Sequence, residues 1–389
     1  MTLIEASLSE TSRTERQDDL VARLAATRAA TLAHIAGLND ALARTQIDPD
    51  FSPIGWHLGH IAFVEALWLL EDGRETAFHD ADRRRWRADG LPRERRGEAL
   101  APLAEQIEIL AETRTSVLAT FDRPFTRRVE LLISFVLQHE TMHAEIMAML
   151  LALHWGQRGT TGTTFAGSKT SPPRIDLVTV PAGPFIQGNS GPDALDNERW
   201  PQTVTLPAFR IARHPVTEAE FAGFVASGGY DRRSLWSEAG WTWRLQAGIQ
   251  PPCHWRAASE SRPVVGVNAF ESEAYCRWLG LRLPTEAEWE KAARSAAASP
   301  AGAGPAGCQA MTGTVWQWTA SDFAPYQGFK AWPYEGYSVP SFGQGERVLR
   351  GGSYASGPSI LRPSFRNWYP PATRAIFAGI RPAADGAAP

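Results

Sequence analysis

Gln138-His139-Glu140-Thr141-Met142-His143-Ala144-Glu145 is the stretch from which the rest of the chain is read. It lies inside Val129 to Leu153, a segment with no Gly or Pro and rich in Leu, Ile, Met and Ala, so it reads as helix. Helical residues four apart share a face and are separated by about 6 Å along the axis. His139 and His143 therefore offer two imidazoles to one point, a pairing that suits a divalent metal. Glu145, two residues further on, points roughly to the opposite side and is not counted as a ligand. A third ligand has to come from another segment. Ser52-Pro53-Ile54-Gly55-Trp56-His57-Leu58-Gly59-His60 opens a second apolar helix and offers His60, set among Ile61, Ala62, Phe63 and Leu67, with His57 and His34 as alternatives.

Outward from these two segments, apolar spacing predicts helices over Asp18 to Arg44, Pro53 to Glu71, Glu98 to Thr120 and Arg123 to His154. Histidines on the second and fourth describe a four-helix bundle over 18–155 with a metal in its core. Asp72 to Gly97 reads as a loop heavy in arginine (Arg74, Arg83, Arg84, Arg85, Arg87, Arg93, Arg95, Arg96), one or two of which are expected to enter the metal cleft and hold a substrate carboxylate. Residues 156–173, rich in Gly, Thr and Ser, read as a linker. From Asp176 short β-like pieces alternate with turns, interrupted by helices at Thr217 to Ser227, Asn268 to Leu279 and after Thr285. Thr217 and Glu220 are spaced as a capping box. The second half is thus an α+β unit with little regular structure.

Eleven of the 15 tryptophans lie after residue 199, which fits a compact, aromatic-filled second half. A net charge of −3 gives no reason to expect a nucleic-acid partner. No run approaches the roughly 18 apolar residues of a membrane span. Met1 to Gln17 lacks the apolar core of a signal peptide, and three scattered cysteines make no disulfide framework. A reducing, cytoplasmic setting is expected.

Val180-Pro181-Ala182-Gly183-Pro184-Phe185, Arg282-Leu283-Pro284-Thr285-Glu286-Ala287-Glu288-Trp289-Glu290, Val315-Trp316-Gln317-Trp318-Thr319 and Arg347-Val348-Leu349-Arg350-Gly351-Gly352-Ser353 resemble, in order, the motifs of formylglycine-generating-enzyme-like (sulfatase-modifying-factor) domains. The resemblance implies a C-type-lectin-like core over 174–384. The reactive cysteine pair of the true formylglycine-generating oxidases is replaced here by Ser356 and Leu361, so that thiol-based copper chemistry is expected to be absent.

A DinB-like bundle placed before such a domain resembles the sulfoxide synthases of ergothioneine biosynthesis, whose relatives include ovothiol and selenoneine synthases. That family holds a non-haem iron(II) with three histidines. The resemblance covers about Asp18 to Pro382 and assigns His139 and His143, in a His-x3-His-x-Glu motif, and His60, at the end of Trp56-His57-Leu58-Gly59-His60, as the metal ligands. It assigns Tyr334 as the catalytic tyrosine and Tyr337 as a substrate contact. It gives Asn367 and Trp368 the betaine end of hercynine (trimethyl-histidine), where an aromatic face suits a quaternary ammonium. Arg84 and Arg87 are chosen for the carboxylate contacts.

The expected reaction joins C2 of hercynine to a thiol with O2, at a site between the two halves. Met142 stands where one branch of the family has a hercynine-bonding Gln, and Tyr369 where it has an acidic residue facing the thiol. These departures argue against γ-glutamylcysteine and leave cysteine or a thio- or seleno-sugar. A selenoneine synthase and a non-catalytic metal-binding module are the alternatives.

Overall fold

The computed structural model describes residues 10–73, 80–98, 100–122, 124–159, 172–248, 252–254, 259–297 and 307–386. The chain divides into two compact units, 1–151 and 152–389. The first holds α1 (Glu10–His34), α2 (Asp40–Arg44), α3 (Ile54–Leu69), α4 (Asp80–Trp86), α5 (Leu103–Ala119) and α6 (Arg127–Gly159) as far as Leu151. The single helix expected over Asp18 to Arg44 is broken. Its last turns give way at Gly37, in the left-handed region (φ 82°), and Asn39 caps a new helix by accepting from the Leu42 amide at 2.9 Å. The arginine-rich stretch read as loop contains α4 and a short 3-10 turn, Arg93–Arg95. α6 runs into the expected linker as far as Gly159, and residues 160–171 of that linker lie outside the described residues.

Every residue of α3 except Leu69 is buried, so it is the central helix and can be apolar all round. Leu20, Leu24, Ile133 and Leu137 pack α1 against α6. Within this apolar core sit two arginines and two glutamates. Arg28 of α1 donates to Glu140 of α6 and to Glu65 of α3, both at 2.7 Å. Arg114 of α5 donates to Glu140 at 2.9 Å and pairs with Glu65. Thr31 adds a hydroxyl to Glu140 at 2.9 Å. Each carboxylate thus meets both guanidiniums, which lets buried charges persist.

In the second unit β1 (Leu177–Val180), β2 (Gly183–Gln187), β3 (Gln202–Leu206) and β4 (Phe209–Ala212) precede α7 (Glu218–Ala226), α8 (Glu238–Ala247), α9 (Ala269–Trp278) and α10 (Glu286–Ala297). β5 (Trp316–Asp322), β6 (Arg347–Arg350), β7 (Asn367–Tyr369), β8 (Ala378–Gly379) and β9 (Ala383–Asp385) follow. The sheets run β1-β4-β9, β2-β3 and β7-β6-β5-β8, with only β5 and β8 parallel. Capping boxes open α7 at Thr217 and α9 at Asn268. Thr285 and Glu288 exchange the same bonds before α10. Helix α8, which periodicity did not predict, starts at Ser237, whose hydroxyl accepts from the Gly240 amide.

The motif residues converge here. Arg350 of β6 donates to Glu290 at 2.7 Å, and Arg366 donates to both oxygens of Glu286 at 3.0 Å. Trp289 and Arg381 share Gln317 at 2.6 and 2.7 Å. Cys253, Cys276 and Cys308 form no disulfide. No described helix is long and apolar enough to cross a membrane.

Candidate active site

His60 enters the core from α3, and His139 and His143 from successive turns of α6. Their three donor atoms lie within 4.8 Å of one another. Two imidazole nitrogens bound at right angles to one metal at about 2.1 Å stand about 3 Å apart. The Nε2 atoms of His60 and His139 are 3.1 Å apart, so the donor set fits a metal. His60 is oriented from behind. Its Nδ1 faces the Trp86 carbonyl at 2.5 Å, and the Trp56 ring stacks on it at 4.5 Å. Gly59 makes room for this, since a Cβ there would lie 2.2 Å from the Trp86 ring.

Burial lowers the pKa of all four histidines of this region, to about 3 for His57 and about 4 for His60. His139 and His143 fall well below the usual range for the same first reason, with neighbouring imidazoles adding to it. All four are therefore neutral at pH 7, with lone pairs available for a cation. Arg96 supplies a nearby positive charge. It lies 4.1 Å over the Trp56 ring and donates to the Ser52 hydroxyl at 2.7 Å.

The second unit gathers the aromatic residues. Trp368 of β7 stacks on Phe323 at 3.9 Å, and Tyr337 meets the Trp368 ring edge-on at 5.6 Å. Asn367 turns its side-chain oxygen to the Trp368 amide at 2.9 Å. Tyr334 is 39% exposed, with its ring packed over Gly336. The segment bearing both tyrosines is tied down at Ser338, whose hydroxyl donates to Asp196 at 2.6 Å and accepts from Asn197 at 3.1 Å. Burial raises the Asp196 carboxyl to about 6 against these hydrogen bonds.

Residues 23–147 match the DinB superfamily, and residues 163–304 and 296–386 match the sulfatase-modifying factor enzyme 1-like domain. The chain is 38% identical to a hercynine oxygenase of Mycolicibacterium thermoresistibile, over 90% of this chain and 91% of that protein. It is 36% identical to a hercynine oxygenase of Mycobacterium tuberculosis, over 95% of this chain and 99% of that protein. The chain belongs to the hercynine oxygenase family. By contrast, a formylglycine-generating enzyme of Mycobacterium tuberculosis is 28% identical over 54% of the chain. The hercynine oxygenases align along both units, whereas that enzyme aligns with about half of this chain.

Of the third-ligand alternatives, His60 joins His139 and His143, while His34 ends α1 outside the cluster. His57 stands behind His143. Arg84 and Arg87 are exposed, and Arg87 is paired with Asp89 at 2.9 Å. Among the described residues of the same run, Arg96 lies beside the histidines. Glu65, Glu140 and the Trp86 carbonyl were not anticipated. Charged residues at otherwise apolar helix positions were the only signal for the first two.

Proposed function

We propose that this hercynine oxygenase holds iron(II) on His60, His139 and His143 and joins C2 of hercynine to a thiol co-substrate as a sulfoxide. The enzyme is an oxidoreductase, and the reaction balances as thiol, hercynine and O2 giving the sulfoxide and one water. One oxygen atom goes to sulfur. The other leaves with the thiol hydrogen and the hydrogen of C2. The observation that carries the reading is the cluster of three neutral imidazoles, two of them buried, in a chain related along nearly its whole length to hercynine oxygenases. Bound iron(II) supplies open coordination positions and redox chemistry toward O2 and a thiolate.

The chain's own residues do the rest. The bundle, over 18–155, keeps three imidazoles neutral. Tyr334, in the domain proposed over 174–384, donates its phenolic proton during coupling and so favours carbon–sulfur bond formation over plain thiol oxidation. Tyr337, Trp368 and Asn367 receive the trimethylammonium end of hercynine, the rings by cation–π attraction. Arg84 and Arg87 bind carboxylate. Met142 and Tyr369 favour cysteine, or a thio- or seleno-sugar, over γ-glutamylcysteine as donor.

Anaerobically iron-loaded protein is expected to consume O2 only when hercynine and a competent thiol are both present, with the coupled product seen by mass spectrometry. O2 uptake indifferent to hercynine with every thiol and selenol donor would overturn the assignment. Tyr334→Phe is expected to lower coupling on the order of 10²-fold while thiol oxidation persists. Unchanged coupling removes Tyr334 from the mechanism.

A further inference from the structure

Four imidazoles, not three, converge in the bundle, and the fourth has no assigned role. His57 is 3% exposed, and its Nδ1 lies 2.8 Å from Nδ1 of His143. The two rings are 5.0 Å apart and tilted by 46°. Trp56 packs edge-on against His57, which fixes the ring in place.

A neutral imidazole carries one N–H and one lone pair. If a ring nitrogen of His143 binds metal, its other nitrogen must carry the hydrogen. Nδ1 of His143 is taken up by His57, which leaves Nε2 for the metal. His60 has the same arrangement with a different acceptor, its Nδ1 facing the Trp86 carbonyl and its Nε2 facing His139.

We propose that His57 is a positioning residue of the metal centre. Its Nδ1 accepts the Nδ1–H of His143, holding that ring in the tautomer and orientation that aim Nε2 at the metal. The partners that usually orient a metal-bound histidine are carboxylates, backbone carbonyls and water. Here a second neutral imidazole takes that place, so the ring of His143 is fixed without adding charge to the core. Unlike the Trp86 carbonyl, this partner is a side chain and can be removed by substitution. The inference rests on the three-histidine reading of the metal site.

The test compares the full-length protein with His57→Asn, His57→Gln and His57→Leu. Asn keeps an acceptor at the place of Nδ1, Gln moves its amide beyond it, and Leu has none. Apo protein is titrated anaerobically with iron(II), and with cobalt(II) as a spectroscopic probe of ligand number. Melting of the apo forms checks folding. The expected result is one metal per chain in every form, with affinity about 10- to 100-fold weaker for His57→Leu and His57→Gln and largely recovered in His57→Asn. The cobalt spectrum should keep its ligand count throughout. If His57→Leu does not fold, the Asn and Gln variants decide.

Equal affinity in all forms overturns the positioning role. Loss of one nitrogen ligand from the cobalt spectrum of all three variants overturns it in favour of His57 as a ligand. Failure of the unsubstituted protein to bind metal brings down the metal site itself, an outcome distinct from either.

Discussion

Both units bury arginines against glutamates, but the two lattices are written into the chain differently. In the bundle, Arg28, Glu65, Arg114 and Glu140 come from four helices and meet only when all four are packed. In the second unit, Glu286 and Glu290 lie one turn apart on α10 and meet Arg350 and Arg366 from motifs that are contiguous in sequence. Buried ion pairs add little net stability, because desolvation offsets most of their attraction. What such pairs can fix is register. Glu140 follows His139 directly, and Glu65 lies five residues past His60, so the bundle lattice sets how the two ligand-bearing helices face each other. The other lattice joins β6 and the segment before β7 to α10, and so holds Trp368 and its neighbours on one wall.

The sharpest way to break this contrast is Glu140→Leu. It leaves two buried guanidiniums sharing the one carboxylate of Glu65, so one positive charge in the core goes unbalanced. The substitution is expected to cost about 3–5 kcal/mol in chemical denaturation and to abolish metal binding. Retained metal affinity would separate the lattice from the histidines. Arg350→Leu should cost a similar 3–5 kcal/mol or somewhat less, because Glu290 keeps Arg294 as a partner. Its metal stoichiometry, read by elemental analysis, should stay at one.

Gly59→Ala pushes on the Trp86 ring, whose carbonyl faces His60. A loss of about 1–3 kcal/mol is expected, with weakened metal affinity, and calorimetry with metal titration reads both.

The smallest effect is a pH dependence at Asp196, which faces Ser338, Asn197, Arg199 and Tyr337. Its carboxyl rises from 3.8 to about 6 on folding. The native state therefore binds more protons between those values, and stability falls as pH rises through that window. At pH 7 the burial cost is fully present. Asp196→Asn, which keeps an acceptor for Ser338, should remove a stability slope on the order of 2 kcal/mol between pH 4 and 6. An unchanged slope would place the titration elsewhere.

Much of the site was legible because its residues obey local rules. His139 and His143 follow helical periodicity, and the caps at Thr217 and Thr285 follow spacing that any helix start imposes. The break at Gly37 and the helix α8 were missed, since a turn residue inside a periodic run and a short helix rich in tryptophan both depend on what packs around them. The arginine run could be seen but not sorted. Only packing put Arg96 over Trp56 while Arg87 stayed with Asp89.

By itself, the sequence determined the two-part architecture, the pair of histidines on one helical face and the motif order that marks the family. Each of these is short-range, or carried by contiguous residues. Tertiary structure decided that His60 completes the triad, that His57 backs His143, and that four charges from four helices close in the core. Those facts depend on distances between segments far apart in the chain, which only the packed fold sets.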